Sequence, residues 1–318
     1  MNPWLSLALG LGVLTFGADL LVRGGASLAL RLGLTPLVIG LTVIAFGTSS
    51  PELAVSLQAA TAGNGAISVG NVIGSNICNI ALILGLCSLI TPVSTTRQVV
   101  RREVPLMLVV TLLASGFLLN GVVSRVEGVI LCISLVAYVA FTVWQARRDK
   151  AAEAAAAGDD LPPKKSLPLS LVFIVAGLAG LVWGADRFVL GAVTIAEAWG
   201  LSPVVIGLTI VAVGTSLPEL ATSLVAAIRK ESDMAVGNIV GSNVFNLLCI
   251  LGITAAISPI VVPELSLIDL GVMVIVSVAL WPLAATGGRI NRWEGAALLA
   301  AYAGYTAWLV LQSGGQAS

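Results

Sequence analysis

Apolar residues fill the chain in long runs, and the polar residues fall between the runs or at a few positions that recur inside them. Windows of about 20 residues, the length that crosses a bilayer as a helix, lie near 4–30, 36–61, 66–90, 103–120 and 126–146. A second set lies near 168–195, 203–228, 234–258, 265–286 and 293–313. The pattern predicts ten membrane spans in two sets of five. Between the sets, "RRDKAAEAAAAGDDLPPKKS" (147–166) is charged, alanine-rich and broken by Pro162-Pro163, which predicts a partly helical linker too short to hold a folded domain.

Composition agrees with this pattern. Of 318 residues, 58% are hydrophobic and 10% charged, and the mean hydropathy is +1.03. A soluble domain carries about 25% charged residues; a chain this apolar is a polytopic integral membrane protein. The net charge is zero, so there is no nucleic-acid footprint, and there is no histidine, which removes the usual proton switch near neutral pH and the usual zinc ligand. Cys78, Cys87, Cys132 and Cys249 stand singly in apolar runs and read as small buried side chains. The opening "MNPWLSLALG" lacks a basic region and a cleavage site and reads as the start of the first span.

Charge sets an expected orientation. With the N-terminus outside, the inner loops hold thirteen Lys and Arg and the outer loops only Arg125, with Arg23 and Arg187 within or near spans. The positive-inside rule then places both termini outside and the linker in the cytoplasm.

The two sets are repeats. "AFGTSSPELAVS" (45–56) recurs as "AVGTSLPELATS" (212–223), and "VGNVIGSNICNIALILG" as "VGNIVGSNVFNLLCILG". Asp19 matches Asp186, Pro36 Pro203, Thr48 Thr215, Glu52 Glu219, Ser75 Ser242, Asn79 Asn246 and Pro92 Pro259, all at an offset of 167 with no gap. Five is odd, so the second copy enters the membrane in the opposite sense: an inverted repeat of the kind found in secondary transporters. The expected fold is all-α, with ten transmembrane helices in two inverted five-helix repeats, 1–146 and 168–318, joined by the linker 147–167, and with helices 2 and 7 broken.

The breaks follow from proline. Pro51 donates no backbone hydrogen bond and its ring clashes with the carbonyl four residues back, that of Gly47. Freed carbonyls near Gly47–Ser50 are tolerated at bilayer depth only where something satisfies them, and a cation does so. Glu52 begins the next half-helix, at the positive end of its dipole; Gly214, Pro218 and Glu219 repeat the arrangement. In the third and eighth spans, Gly70 with Gly74 and Gly237 with Gly241 permit close helix approach. Ser75 with Asn79, and Ser242 with Asn246, share helical faces, and Asn71, Asn76, Asn238 and Asn243 add amides. Two carboxylates, the hydroxyls of Thr48, Ser49, Thr215 and Ser216, several amides and freed carbonyls form a set of hard oxygen ligands suited to Ca²⁺, Mg²⁺, Mn²⁺ or Na⁺. An ionisable group inside a span reads first as functional. Asn71 and Asn238 fit helix glue equally well, and Asp19 with Arg23, like Asp186 beside Arg187, reads as a structural ion pair near the membrane surface.

These paired motifs resemble the two α-repeats of the cation/Ca²⁺ exchanger superfamily, and most closely its prokaryotic sodium/calcium exchanger branch; the resemblance covers nearly the whole chain. It implies an antiporter that exchanges Na⁺ for Ca²⁺ by alternating access, with Ca²⁺ held by Thr48, Glu52, Thr215 and Glu219, the threonines partly through their carbonyls. It further implies Na⁺ and shared sites at Ala45, Ser49, Ser75, Asn79, Ala212, Ser216, Ser242 and Asn246. Some members carry aspartate at one position of the Asn pair; asparagine at both 79 and 246 argues against potassium co-transport and against a proton step requiring that acid. The linker cannot hold the cytoplasmic Ca²⁺-sensing insert of some eukaryotic members. The resemblance implies that the first and sixth spans slide against the other eight, and their glycines (Gly10, Gly12, Gly17, Gly24, Gly25, Gly177, Gly180, Gly184 and Gly191) would suit a sliding surface.

Beside this reading stand a Ca²⁺/H⁺ antiporter, which needs the same two carboxylates, and a cation channel, which the inverted repeat and mid-depth breaks disfavour. An enzyme is not expected, since there is no histidine, no nucleophile–base pair and no nucleotide motif. No cofactor is expected. The expected partners are the transported ions and the lipid bilayer, with no nucleic acid and no obligate protein, and the expected location is a plasma or bacterial inner membrane.

Overall fold

A computed structural model describes residues 2–154, 167–199, 212–262 and 265–315. The expected Pro203 and the start of the seventh span lie outside these residues, as does most of the linker.

In the first half, α1 is Pro3–Leu32, α2 Pro36–Thr48, α3 Ser50–Thr61, α4 Gly65–Ile90, α5 99–118 and α6 Arg125–Ala154. In the second half, α7 is Leu167–Ala198, α8 Ala212–Gly214, α9 Leu217–Ile228, α10 Ser232–Ile257, α11 Leu267–Ala285 and α12 Arg292–Gly315. Helix starts follow local chemistry: the side chains of Asn2, Thr35 and Ser266 accept backbone N–H bonds at the starts of α1, α2 and α11, and Pro3 and Pro36 occupy first-turn positions where no N–H is needed. Gly33, at φ 69°, ends α1 in the left-handed conformation that glycine adopts without penalty.

Among the described residues seven of these helices are long and apolar enough to cross a membrane, and α2 with α3, bent by 45°, make an eighth span; α8 and α9 flank the second proline break. The fifth span runs past the expected end, to Ala154. The fourth begins at Val99, in a wide π-helical turn that contains Arg101 and Arg102.

Corresponding helices run in opposite senses. A Cβ added at Gly10 would lie 2.8 Å from the Gly184 carbonyl oxygen, and one at Gly17 2.9 Å from that of Gly177. One at Gly24 would lie 3.0 Å from the Ile174 nitrogen. Contacts that move up α1 thus move down α7, and the two helices, equivalent by the 167 offset, are antiparallel. Short strands repeat the symmetry: β1 (Val93–Ser94) pairs with β4 (Arg289–Ile290), and β2 (Val122–Val123) with β3 (Ile260–Val261).

The glycine expectation needs correction. Gly10, Gly17, Gly24, Gly177, Gly184 and Gly191 join α1 to α7 by close backbone approach. They do not form a smooth face toward the other helices. Gly25 is the one that meets the rest of the bundle, against Ile39, Ile44 and Met234. The reason is spacing: a seven-residue period keeps the glycines on one stripe, and one stripe meets one neighbour.

Burial orders the layers. The apolar window of α10 is 89% buried and that of α4 72%, against 22% for α6 and 11% for α12. α4 and α10 therefore form the centre, with α6 and α12 presenting Val126, Val136, Trp144 and Trp293 outward. Gly237 and Gly241 let α10 close on α2; a Cβ there would lie 2.6 Å from the Leu37 carbonyl and 2.8 Å from that of Leu41. At Gly70 and Gly74 an added Cβ meets nothing within 4 Å among the described residues.

Candidate functional site

The two breaks have the same backbone. α2 ends at Thr48, Ser49 (φ −82°, ψ 7°) leaves the helix, and α3 restarts with Pro51 and Glu52 in its first turn. α8 ends at Gly214, Ser216 (φ −89°, ψ 7°) leaves the helix, and α9 restarts with Pro218 and Glu219 in its first turn. Each proline sits where the half-helix has no N–H partner to lose. Each glutamate sits at the positive end of a helix dipole. Glu52 and Glu219 are each 1% exposed, at the centre of the molecule.

The breaks meet. Ser49 Oγ donates to Glu219 Oε1 at 2.8 Å, and Ser216 Oγ donates to Glu52 Oε1 at 3.1 Å. Each half thus steadies the carboxylate of the other. Behind each glutamate stands an asparagine of the central helices. Asn71 Nδ2 donates to the Glu52 carbonyl at 3.1 Å and to Ser56 Oγ at 2.8 Å. Asn238 Nδ2 donates to the Glu219 carbonyl at 3.4 Å and to Ser223 Oγ at 2.9 Å. The glue reading for these two asparagines is therefore the one the geometry supports, but what they hold is the backbone of the carboxylates. Ser56 and Ser223 escaped the sequence reading, although both stand four residues after a glutamate at the 167 offset. Thr48 Oγ1 donates to Asn238 Oδ1 at 3.2 Å and to the Ala45 carbonyl at 3.4 Å.

Thr48, Ser49, Ser75, Asn79, Ser216, Ser242 and Asn246 are all buried, and Ala45 lies beside Phe245 and Cys249 in the core. Thr215 is half-buried at the second break, and Ala212 opens α8. The freed carbonyl at Gly47 is not free: Ser50 Oγ donates to it at 2.8 Å. Leucine stands at the matching position, 217, and supplies no such donor.

The shared faces of Ser75 with Asn79 and of Ser242 with Asn246 also need adjustment. α4 widens into a π-helical turn at Cys78–Leu84 and α10 at Asn246–Ile250. Such turns cluster at functional positions because they re-aim side chains. They begin beside the asparagine in each half, and no local sequence signal marks them.

Several buried oxygens have no hydrogen-bond partner among the described residues: Glu52 Oε2, Glu219 Oε2, Asn79 Oδ1, Asn246 Oδ1, Ser242 Oγ and Thr215 Oγ1. Buried polar atoms are ordinarily paired. Two buried carboxylate oxygens left without a donor, Glu52 Oε2 and Glu219 Oε2, fit a cation held between them. No group of three or more His, Cys, Asp or Glu exists among the described residues, so neutral oxygens must complete any coordination shell. That composition suits hard cations.

The remaining charges lie outside this centre. Asp19 pairs with Arg23 at 2.8 Å, as its i,i+4 spacing predicts, and also with Arg229 at the end of α9. Asp186 pairs with Arg187 at 3.0 Å. Glu103, unforeseen in the sequence, is buried at the start of the fourth span and accepts from Gln98 Nε2 at 2.9 Å. All four cysteines are free thiols, three of them buried.

Comparison with known proteins adds relatives. The profile of the family described as "Sodium/calcium exchanger protein" matches residues 2–144 and again 169–311. "Putative antiporter CaxA" of Alkalimonas amylolytica is 40% identical over 93% of this chain and 95% of its own. "Sodium/calcium exchanger MaX1" of Methanosarcina acetivorans is 33% identical over 95% and 97% respectively. A solved structure of the sodium-calcium exchanger NCX_Mj, soaked with zero Na⁺ and Ca²⁺, superposes with a TM-score of 0.84 at 35% identity, covering 97% of this chain and 100% of that one.

Proposed function

The chain belongs to the sodium/calcium exchanger family, a family of membrane antiporters, and on that premise we propose that it exchanges Na⁺ for Ca²⁺ by alternating access. The observation that supports this most directly is the reciprocal pair of bonds, Ser49 to Glu219 and Ser216 to Glu52, which brings both breaks to one buried point. In this reading Glu52 and Glu219, with Thr48 and Thr215, hold Ca²⁺, whose two charges balance the two carboxylates. Ala45, Ser49, Ser75, Asn79, Ala212, Ser216, Ser242 and Asn246 supply neutral oxygens to Na⁺ ions that share the cavity.

The same electrostatics couples the two fluxes. Two carboxylates in a low-dielectric centre are costly unless compensated. Closing around them without cations is therefore disfavoured, whereas Ca²⁺ or a set of Na⁺ ions removes the penalty. Each side then admits one cargo in exchange for the other. The α1–α7 pair, joined by its glycines, moves as one body against the remaining eight segments. The repeats divide at 1–146 and 168–318 around the linker 147–167, both termini lie outside, and the protein resides in a plasma or bacterial inner membrane.

A Ca²⁺/H⁺ antiporter would need only the carboxylates. The shell of amide and hydroxyl oxygens favours Na⁺, because a proton requires no such shell. The test is ⁴⁵Ca²⁺ uptake into proteoliposomes preloaded with Na⁺, for the wild type and Glu52→Gln. Uptake that depends on internal Na⁺ and is lost in the variant is expected. Uptake that follows a pH gradient and ignores Na⁺ would replace this reading with proton coupling.

A further inference from the structure

We infer that Met107, acting through Asn243, is a positioning residue that fixes the side-chain oxygen of Asn79 as a cation ligand, and that it does so in the first half alone. The inference rests on the exchange reading above and deepens it. Met107 lies in α5 and is fully buried. Its thioether accepts hydrogen bonds and cannot donate them. Asn243 Nδ2 donates to Met107 Sδ at 3.7 Å. The amide of Asn243, itself 1% exposed, must then turn its oxygen away from the sulfur. That oxygen accepts from Asn79 Nδ2 at 3.1 Å. Asn79 has in turn committed its NH₂ group, and its Oδ1 is left buried with no hydrogen-bond partner among the described residues.

The chain of donors has one direction. If Asn243 were flipped, its oxygen would face the sulfur, lone pair against lone pair, and its NH₂ would face the NH₂ of Asn79. Asn79 would then have to flip as well and point N–H groups at the cation. An acceptor-only side chain two residues removed thus decides which end of Asn79 meets the ion. The sulfur does not touch the cation.

The second half lacks this device. At the 167 offset, Asn76 corresponds to Asn243 and Asn246 to Asn79; the buried counterpart of Met107 is Met273, one residue off that offset because the wide turn at Val99–Glu103 adds a residue to α5. Met273 carries the same acceptor, but Asn76 makes no bond to it among the described residues. Asn76 Nδ2 donates instead to Val72 O of its own helix, at 2.7 Å. The amide of Asn246 is therefore not oriented by a relay of this kind, and the two neutral amide ligands are unequal: one is held in advance and the other must be oriented by the ion. Holding a ligand in its bound orientation improves affinity by removing the cost of ordering it. The gain falls mainly on Na⁺, which depends on neutral dipoles, whereas Ca²⁺ is held chiefly by the two carboxylates.

Two near-isosteric substitutions separate the relay from packing. Met107→Leu keeps volume and apolarity and removes the acceptor, an exchange that buried sites tolerate well. Met107→Gln restores an acceptor at similar reach. The readouts are thermal unfolding of the full chain in detergent, titrated with NaCl against choline chloride and separately with CaCl₂, and Na⁺-driven ⁴⁵Ca²⁺ exchange in proteoliposomes. In Met107→Leu the Na⁺ concentration for half-saturation should rise by roughly three- to tenfold, as the loss of one oriented hydrogen-bonding group implies. Its Ca²⁺ half-saturation should stay within about twofold, and Met107→Gln should return Na⁺ half-saturation toward the wild-type value. A packing defect would lower the melting temperature at every Na⁺ concentration and leave half-saturation in place. Unchanged Na⁺ half-saturation in Met107→Leu, equal weakening of Na⁺ and Ca²⁺, or a Met107→Gln protein that behaves like Met107→Leu would each overturn the relay. A wild type that binds Na⁺ and Ca²⁺ without exchanging them would sink the exchange reading, and the binding titrations would still decide the relay. A wild type that binds no Na⁺ would sink both.

Discussion

The two halves of the site carry the same ligands and different supports. Glu52 and Glu219, Ser49 and Ser216, and Asn71 and Asn238 occupy matching places and make matching bonds. One layer out the match fails. Ser50 caps the Gly47 carbonyl where Leu217 cannot cap that of Gly214. Asp19 reaches across to Arg229 on α9, while Asp186 pairs only with its neighbour Arg187 among the described residues. Thr48 donates to Asn238, but Thr215 Oγ1 has no such partner among the described residues. Groups that would face the ion, and the asparagines behind the two glutamates, are thus duplicated, whereas the outer supports have diverged. In the proposed alternating-access cycle, the symmetry needed for two facing states would reside in the first set, and a preference between those states would come from the second.

The most severe way to break the comparison is at the carboxylates. Glu52→Gln and Glu219→Gln should each reduce ⁴⁵Ca²⁺ exchange by about 100-fold or more, since each leaves one uncompensated charge at the buried centre when Ca²⁺ binds. Equal loss is expected from the two; a variant that retains substantial exchange would mean that one carboxylate suffices.

The asparagines behind them come next. Asn71→Ala and Asn238→Ala each free a buried glutamate carbonyl and a serine, which should weaken Ca²⁺ binding by about tenfold. Asn238→Ala should be the more damaging, because it also removes the nearer of the two acceptors of the Thr48 hydroxyl, leaving only the Ala45 carbonyl. Titration of ⁴⁵Ca²⁺ uptake against external Ca²⁺ tests the ranking, and equal effects would remove the asymmetry assigned to Thr48.

Smaller effects are expected at the break itself. Ser50→Ala uncaps the Gly47 carbonyl and Leu217→Ser offers a cap to that of Gly214, so the two should move the Na⁺ half-saturation in opposite directions, by about two- to fivefold. A shift in the same direction would show that the hydroxyl acts through something other than that carbonyl. The mildest variant is Arg229→Ala. It removes a partly exposed ion pair, which is worth little, so the ratio of inward- to outward-facing carriers should change by no more than about threefold. Labelling of a cysteine engineered in α9, with and without added salt, reads that ratio.

Much of this was legible beforehand. The ten runs, the offset of 167 and the odd number of spans per half were enough for an inverted repeat, and α1 lying antiparallel to α7 agrees. The breaks were equally plain, because proline acts on its own helix and needs no neighbour to do so. The ion pair of Asp19 with Arg23 followed from i,i+4 spacing alone. Readings that depended on a neighbour fared less well. The glycine stripes looked like a sliding face and prove to join α1 to α7, since spacing identifies a stripe but not what it meets.

The sequence by itself determined which groups could bind a cation: an apolar chain without histidine, two glutamates placed by two prolines, and a surrounding stock of neutral oxygens. These are properties of residue type and short spacing, which act within one helix. Tertiary structure alone decided how those groups are aimed. Ser49 reaches Glu219 across 170 positions of sequence, Asn79 reaches Asn243 across 164, and Asn243 reaches Met107 across 136. A hydrogen bond of that kind exists only once helices have packed, because its direction is set by two backbones that no local pattern relates.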